Sequence, residues 1–331
     1  MKILLYLKQH KLIEKSGIGK AIAHQKRALE ENGINYTINE REDFDIVHLN
    51  TIFPSSLLMS LKAKRAGKKV VFHAHSTEED FRNSFVFSNV LSSLFKRWIT
   101  MCYKTGDVII TPTLYSKKLI EGYGIKNPIV SVSNGIDTGY FKKTSEGRKR
   151  FRQEYNLNEN DKVIISVGLY FERKGILDFV ELAKSMPEYK FIWFGYTNLN
   201  LVPKSVKKAV ETILPNLFFP GYVSSEELKD AYSGSDLFLF LTHEETEGIV
   251  LLEALSMKIP SLIRDIPIYE ELFDGEDIYK GKDFMEFQEK IRGILNSQLP
   301  SLVENGYKIA EKRNIKEIGR QLKLEYKNLL N

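Results

Sequence analysis

Strand-length apolar runs alternate with helix-period runs from the first residues almost to the last, and this alternation narrows the possible folds more than any other feature of the chain. In the first half, strand patterns fall at 2–7, 45–50, 69–74, 107–111 and 129–133, with helical periodicity near 18–32, 56–66, 87–104 and 114–122. Successive strand–helix units lay their strands side by side in parallel, with helices covering the faces. The alternation stops over 142–162, a charge-dense stretch without strand pattern that reads as a linker, and restarts at 163. Strand patterns then follow at 163–167, 189–194, 217–219, 236–241, 260–263 and 277–279, with helices near 175–185, 204–213, 225–232, 248–257 and 284–295. Two last helical patterns, near 301–312 and 315–329, follow no strand. The 331 residues thus predict an α/β protein of two tandem doubly wound, Rossmann-like domains facing across a cleft. The N-terminal domain is expected at 1–145 and the C-terminal domain at 160–312, with a helix at 313–331 packing back on the first. Ligands of such sheets bind beyond the carboxyl ends of the strands.

With 43% apolar and 27% charged residues, the composition excludes disordered and collagen-like classes. The single cysteine, Cys102, permits no internal disulfide and, without a Cys/His cluster, no zinc site, which suits a reducing compartment. The opening MKILLYLKQH holds an apolar run of only five residues, and no stretch approaches the ~18 apolar residues of a membrane span, so neither secretion nor integral insertion is expected. Charge divides unevenly: residues 1–150 carry 25 Lys+Arg against 14 Asp+Glu, a balance of +11, while the remainder carries −6. An anionic surface that meets only the first half fits this asymmetry, as does an unevenly solvated exterior.

The most informative stretch is residues 242–256, THEETEGIVLLEALS, which follows the apolar strand pattern at 236–241. A helix opening at Gly248 exposes free N–H groups and a partial positive charge, a natural seat for phosphate that a glycine lets approach closely. Glu245 precedes those donors and Glu253 lies eight residues on, inside the helix. Two carboxylates bracketing a phosphate-binding turn suit a ligand with hydroxyls on both sides of a diphosphate, a nucleotide-sugar. Read alone, Glu245 and Glu247 equally suit the helix dipole. Gly17 and Gly19 read as a turn between first strand and first helix, where backbone can press against a diphosphate; the segment is neither Walker A nor GxGxxG, and an ordinary connection fits it too. Arg173 and Lys174 leave the first strand of the second domain, where cations can neutralise a departing diphosphate. His73 and His75 alternate on one strand pattern, so one of them faces the ligand side and the other points away; His75 lies nearer the carboxyl end. The same alternation argues against a metal pair.

The spacing Glu245-x7-Glu253, embedded as E-x-x-G-x-x-x-x-E-A, resembles the signature of the retaining family 4 glycosyltransferases, which have the two-domain GT-B fold. Four more segments fall in that family's order: SGIGK at 16–20, FHAHS at 72–76, VSNGID at 132–137 with Phe141, and VGLYFERKG at 167–175. The resemblance implies a hexosyltransferase whose His75 contacts the transferred sugar and whose Glu245 binds sugar hydroxyls. It further implies Lys174 and the amides of Gly248, Ile249 and Val250 on the diphosphate, Glu253 on the ribose, and the segment around Tyr222 at the base. Leu169 stands where many members have Arg, so Arg173 is read as a substitute cation. Transfer by front-side attack with retention is implied, with no cofactor and no obligatory metal because lysine and helix amides supply the positive field.

Residues 85–104 interleave apolar positions with Lys96, Arg97, Trp98, Tyr103 and Lys104, and Lys62, Lys64, Arg65, Lys68 and Lys69 form a second basic cluster. Such helices suit adsorption to anionic lipid, or equally pack a core with solvated lysines; no recognition motif supports nucleic acid. The segments 11–19 and 73–85 resemble the second-step glycolipid glycosyltransferases of Gram-positive bacteria, the diglycosyl-diacylglycerol synthases. That resemblance implies transfer from UDP-glucose or UDP-galactose to monoglucosyl-diacylglycerol, giving an α-linked product that serves as lipoteichoic-acid anchor or bulk glycolipid, at the cytoplasmic face of the membrane. A polyprenyl-linked or polysaccharide acceptor, and a non-catalytic nucleotide-binding protein, are the alternatives.

Overall fold

The computed structural model describes residues 1–14 and 16–331, the His10 side chain excepted; Lys15, inside the N-terminal segment singled out above, lies outside the described residues. The chain divides into two compact units, the first formed by Met1–Phe81, Asn89–Asp137 and Arg313–Asn331, the second by Arg82–Ser88 and Thr138–Lys312.

Unit 1 is built on a parallel sheet of β1 (Ile3–Tyr6), β2 (Tyr36–Thr37), β3 (Ile46–Leu49), β4 (Lys69–His73), β5 (Val108–Thr111) and β6 (Ile129–Ser131), in the order β2-β1-β3-β4-β5-β6. Its helices are α1 (Gly17–Glu31), α2 (Pro54–Arg65), α3 (Glu78–Phe81), α4 (Ser88–Tyr103, in this unit from Asn89 on) and α5 (Leu114–Glu121). The strands read as unbroken apolar runs because both faces are buried, one against Met59, Ile99, Tyr103 and Ile120, the other against Leu29, Ile318 and Leu322.

Unit 2 contains α6 (Ser145–Glu154), β7 (Val163–Val167), α7 (Ile176–Ser185), β8 (Lys190–Phe194), α8 (Lys204–Val210), β9 (Leu217–Gly221), α9 (Ser225–Gly234), β10 (Leu237–Phe240), α10 (Ile249–Ser256), β11 (Ser261–Arg264), β12 (Tyr279–Gly281), α11 (Phe284–Leu295) and α12 (Val303–Lys312). Its parallel sheet runs β12-β11-β10-β7-β8-β9. Strand order reverses between β7 and β10, so the loops leaving those two strands emerge side by side at the switch point where doubly wound sheets bind ligands. Both sheets therefore follow the doubly wound plan that the alternation predicts.

Two segments differ from their sequence reading. The supposed linker at 142–162 carries α6, capped by Thr144 and packed on α9. Phe151 is buried against Gly234, where a Cβ would collide with its ring, and Arg150 grips Asp230 through two 2.7 Å bonds. One apolar anchor among charges leaves no periodicity to read. At the other end, α13 (Ile315–Leu330) belongs to unit 1: Gly319 passes so close to Ala28 of α1 and to Asn32, which follows that helix, that a side chain there would clash, and Tyr326 is fully buried.

Candidate active site

In unit 2 the β7 loop, a 3-10 turn over Glu172–Lys174 and Gly175 lead into α7. Gly175 has φ +80°, and a Cβ there would collide with the Leu241 carbonyl, so glycine is what lets the lysine-bearing turn lie against the end of β10. Across that contact, Lys174 Nζ forms an ion pair with Glu245, both side chains largely buried. The two residues assigned from sequence to diphosphate and sugar thus hold each other. The Arg173 Nε donates to Ser84 Oγ (2.8 Å), its Nη1 donates to the Glu244 carbonyl (3.1 Å), and its own carbonyl accepts from His243 N (2.7 Å). The guanidinium thus ties the loops that follow β7 and β10 to the Arg82–Ser88 segment.

Gly248 (φ +83°) opens α10, and a Cβ there would meet the Tyr269 hydroxyl at 2.6 Å. Ile249 and Val250 are in the first turn of α10, whose N–H groups the helix itself leaves unsatisfied. Glu253 is fully buried on α10 and accepts from Tyr232 Oη at 2.9 Å; burial and this carboxylate push the Tyr232 phenol upward. Tyr222 follows β9 and is half exposed. Asp178 of α7 accepts from Arg264 Nη2 (2.5 Å) and lies 3.1 Å from His243 Nε2, and Arg264 Nε also donates to the Leu241 carbonyl (3.0 Å), bracing the loop from below. Burial pushes the Asp178 carboxyl up, but the bonds from His243 and Arg264 and the guanidinium charge outweigh it and hold the carboxyl below its ordinary range. Sequence gave no hint of Tyr232, Asp178, Arg264 or Ser84, whose roles depend on contacts between distant segments.

In unit 1, Gly17 and Gly19 lie in the first turn of α1 and not in the preceding turn as expected, because Ser16 caps the helix, accepting from Gly19 N. A Cβ at Gly19 would strike the Ile13 and Glu14 carbonyls, whereas nothing lies within 4 Å of one at Gly17. Glycine at 19 therefore serves the chain's own packing, and Gly17 leaves open space.

His73 and His75 depart furthest from expectation. β4 ends at His73, and a tight turn, with His75 N donating to His73 O (3.1 Å), breaks the alternation. Their rings stack at 4.1 Å and 16°, on the same side. His75 Nε2 lies 2.9 Å from Asn50 Oδ1, and Asn50 Nδ2 donates to Gln25 Oε1 (2.8 Å). His73 Nδ1 lies 3.3 Å from His48 Nε2, whose Nδ1 lies 2.7 Å from Tyr326 Oη. Burial lowers all three imidazoles, His48 and His75 to about 3, so each is neutral. Among the described residues no cluster of three His, Cys, Asp or Glu suited to a metal is found.

The four residues read as membrane-facing separate on α4. Arg97 and Lys104 are exposed; Lys96 pairs with Glu78 (3.1 Å) and covers the Tyr123 ring, and Trp98 is half buried, donating to the Ile52 carbonyl (2.8 Å). The exposed apolar stripe is Val90, Leu91, Leu94 and Met101, at helical spacing with Arg97 among them. No helix among the described residues is long and apolar enough to cross a membrane.

Two Rossmann-like units, the second with a Lys–Glu pair at its switch point, are the architecture of GT-B glycosyltransferases, and the chain belongs to that family: residues 17–140 match Glycosyltransferase Family 4 and residues 147–315 match Glycosyl transferases group 1. Among individual proteins it is 43% identical over 334 residues to the processive diacylglycerol alpha-glucosyltransferase of Acholeplasma laidlawii, covering 100% of this chain and 99% of that one. It is 27% identical over 237 residues to the alpha-galactosylglucosyldiacylglycerol synthase of Streptococcus pneumoniae, covering 70% of this chain and 63% of that protein. The solved structure of Anabaena Alr3699/HepE in complex with UDP and glucose shares the fold, with TM-score 0.79 at 15% identity over 99% of both chains.

Proposed function

We propose that this hexosyltransferase moves a hexose from UDP-glucose or UDP-galactose to a diacylglycerol glycolipid such as monoglucosyl-diacylglycerol, giving an α-linked diglycosyl-diacylglycerol. The observation that carries this reading is the likeness, over the whole chain, to a relative named as a diacylglycerol alpha-glucosyltransferase. That name also brings diacylglycerol itself forward as an acceptor.

On this reading the diphosphate takes Lys174 from Glu245 and sits on the Gly248–Val250 amides, which releases the Glu245 carboxylate to accept from hexose hydroxyls. Glu253 receives the ribose, Tyr222 borders the base, and His75 contacts the transferred sugar. Charge developing on the departing phosphate is met by an ammonium and by helix dipole, both already in place. The acceptor hydroxyl attacks from the face that the phosphate leaves, passing its proton to phosphate oxygen, with retention. Arg97 and Lys104, flanking the exposed apolar stripe of α4, support adsorption to anionic lipid at the cytoplasmic membrane face. The product as lipoteichoic-acid anchor belongs to the same proposal.

The test is a transfer assay with both UDP-sugars against diacylglycerol, monoglucosyl-diacylglycerol and a polyprenyl-linked sugar, in EDTA, with proton NMR of the product. An α-anomeric coupling on a diglycosyl-diacylglycerol is expected. A β-linkage, or transfer confined to the polyprenyl acceptor, refutes the reading.

A further inference from the structure

We infer that Asn50, held by Gln25, is a positioning residue that fixes His75 in the tautomer carrying its proton on Nε2, so that Nδ1 offers a lone pair to a sugar hydroxyl. The inference rests on the proposed contact between His75 and the transferred hexose.

The geometry begins at α1. Gln25 is 4% exposed and its Oε1 accepts from Asn50 Nδ2, which commits the other end of the Asn50 amide, Oδ1, to His75 Nε2 at 2.9 Å. An amide oxygen only accepts, so the nitrogen facing it carries hydrogen, and a neutral imidazole then has its other nitrogen bare. Beside this pair, His48 Nδ1 lies 2.7 Å from Tyr326 Oη and His48 Nε2 lies 3.3 Å from His73 Nδ1. The His73 ring, whose Nε2 is buried without a hydrogen-bond partner, stacks on His75 and holds its plane. The titratable groups joined to His75 by ring stacking and the contacts beyond it are His73 of β4, His48 of β3 and Tyr326 of α13. Charge plays no part, because burial keeps all three rings neutral.

Nitrogen-15 NMR of the full chain, labelled at histidine and assigned by the signals lost in His75→Gln, reads the tautomer directly. The Nε2–H form is expected for His75; the Nδ1–H form overturns the inference whatever His75 touches. In Asn50→Ala and in Gln25→Leu, a mixture of tautomers is expected, with kcat down roughly tenfold to a hundredfold and UDP affinity unchanged. A pure Nε2–H signal with wild-type kcat in both variants also overturns it. Should Asn50→Ala fail to fold, Gln25→Leu and the wild-type spectrum decide. His75→Ala separates the two readings: a loss of transfer there beside unaffected Asn50 and Gln25 variants removes the lock and keeps the site, whereas wild-type transfer in His75→Ala removes the site reading itself.

Discussion

Replacing Glu245 by Gln tests the proposed donor turn most sharply, because the carboxylate that the structure pairs with Lys174 is the one the proposed function gives to the hexose. In the free protein it neutralises Lys174, whose side chain is 15% exposed, while Glu245 itself is 7% exposed. Removing one partner of a buried pair typically costs about 3–5 kcal/mol, because the other charge is stranded. Residual solvent access at Lys174 reduces this to about 2–4 kcal/mol. For a domain of this size 1 kcal/mol moves Tm by about 2–4 °C, so melting of ligand-free Glu245→Gln should fall by roughly 4–16 °C. UDP should recover much of that loss, since its diphosphate supplies Lys174 with a new counter-charge, and its affinity should equal or exceed that of the parent. Transfer should nevertheless be lost, because the neutral amide accepts more weakly from hexose hydroxyls as charge develops on the sugar. Calorimetric melting with and without UDP, titration calorimetry and a transfer assay read the three quantities. A tenfold weaker UDP, or an unchanged Tm together with intact transfer, would refute the reasoning.

Acidification should weaken unit 1 before carboxylates titrate. Unfolded histidines bind protons below about pH 6.5, whereas His48 and His75 stay neutral in the fold down to about 3, so their stabilisation is complete above 6.5 and declines as pH falls. With His73 shifted the same way, the loss is about 4 kcal/mol per pH unit, and urea midpoints equal at pH 7 and 5 would contradict it. Glu253→Gln should raise the Kd for UDP about tenfold by weakening a charge-assisted bond to ribose, as titration calorimetry reads; an unchanged Kd removes that assignment. Exchanging Arg97 and Lys104 for Ser should cut sedimentation with anionic vesicles about thirtyfold at low salt, at about 1 kcal/mol each, and Lys96→Ser much less because Glu78 already holds it; equal effects would displace the contact surface from this stripe.

Local order was legible in the chain because parallel strands covered on both faces must be short apolar runs, and the helices between them must show one apolar stripe. The same logic located the Lys174 and Glu245 loops at strand ends and put a helix N-terminus at Gly248. It failed where a pattern depends on where an element stops: period-two alternation sends His73 and His75 to opposite sides, but β4 ends at His73 and the turn after it stacks the rings. It also failed at α6, whose burial hangs on Phe151 and on arginines bound to distant groups. What only the tertiary structure decided is pairing. Setting β7 beside β10 brings residues 71 positions apart into the Lys174–Glu245 pair, and returning α13 to unit 1 places Tyr326 against His48 across 278 positions. Periodicity reports the environment along one element, whereas the partners of a buried charge or imidazole are chosen by strand order and helix docking, which no local spacing contains.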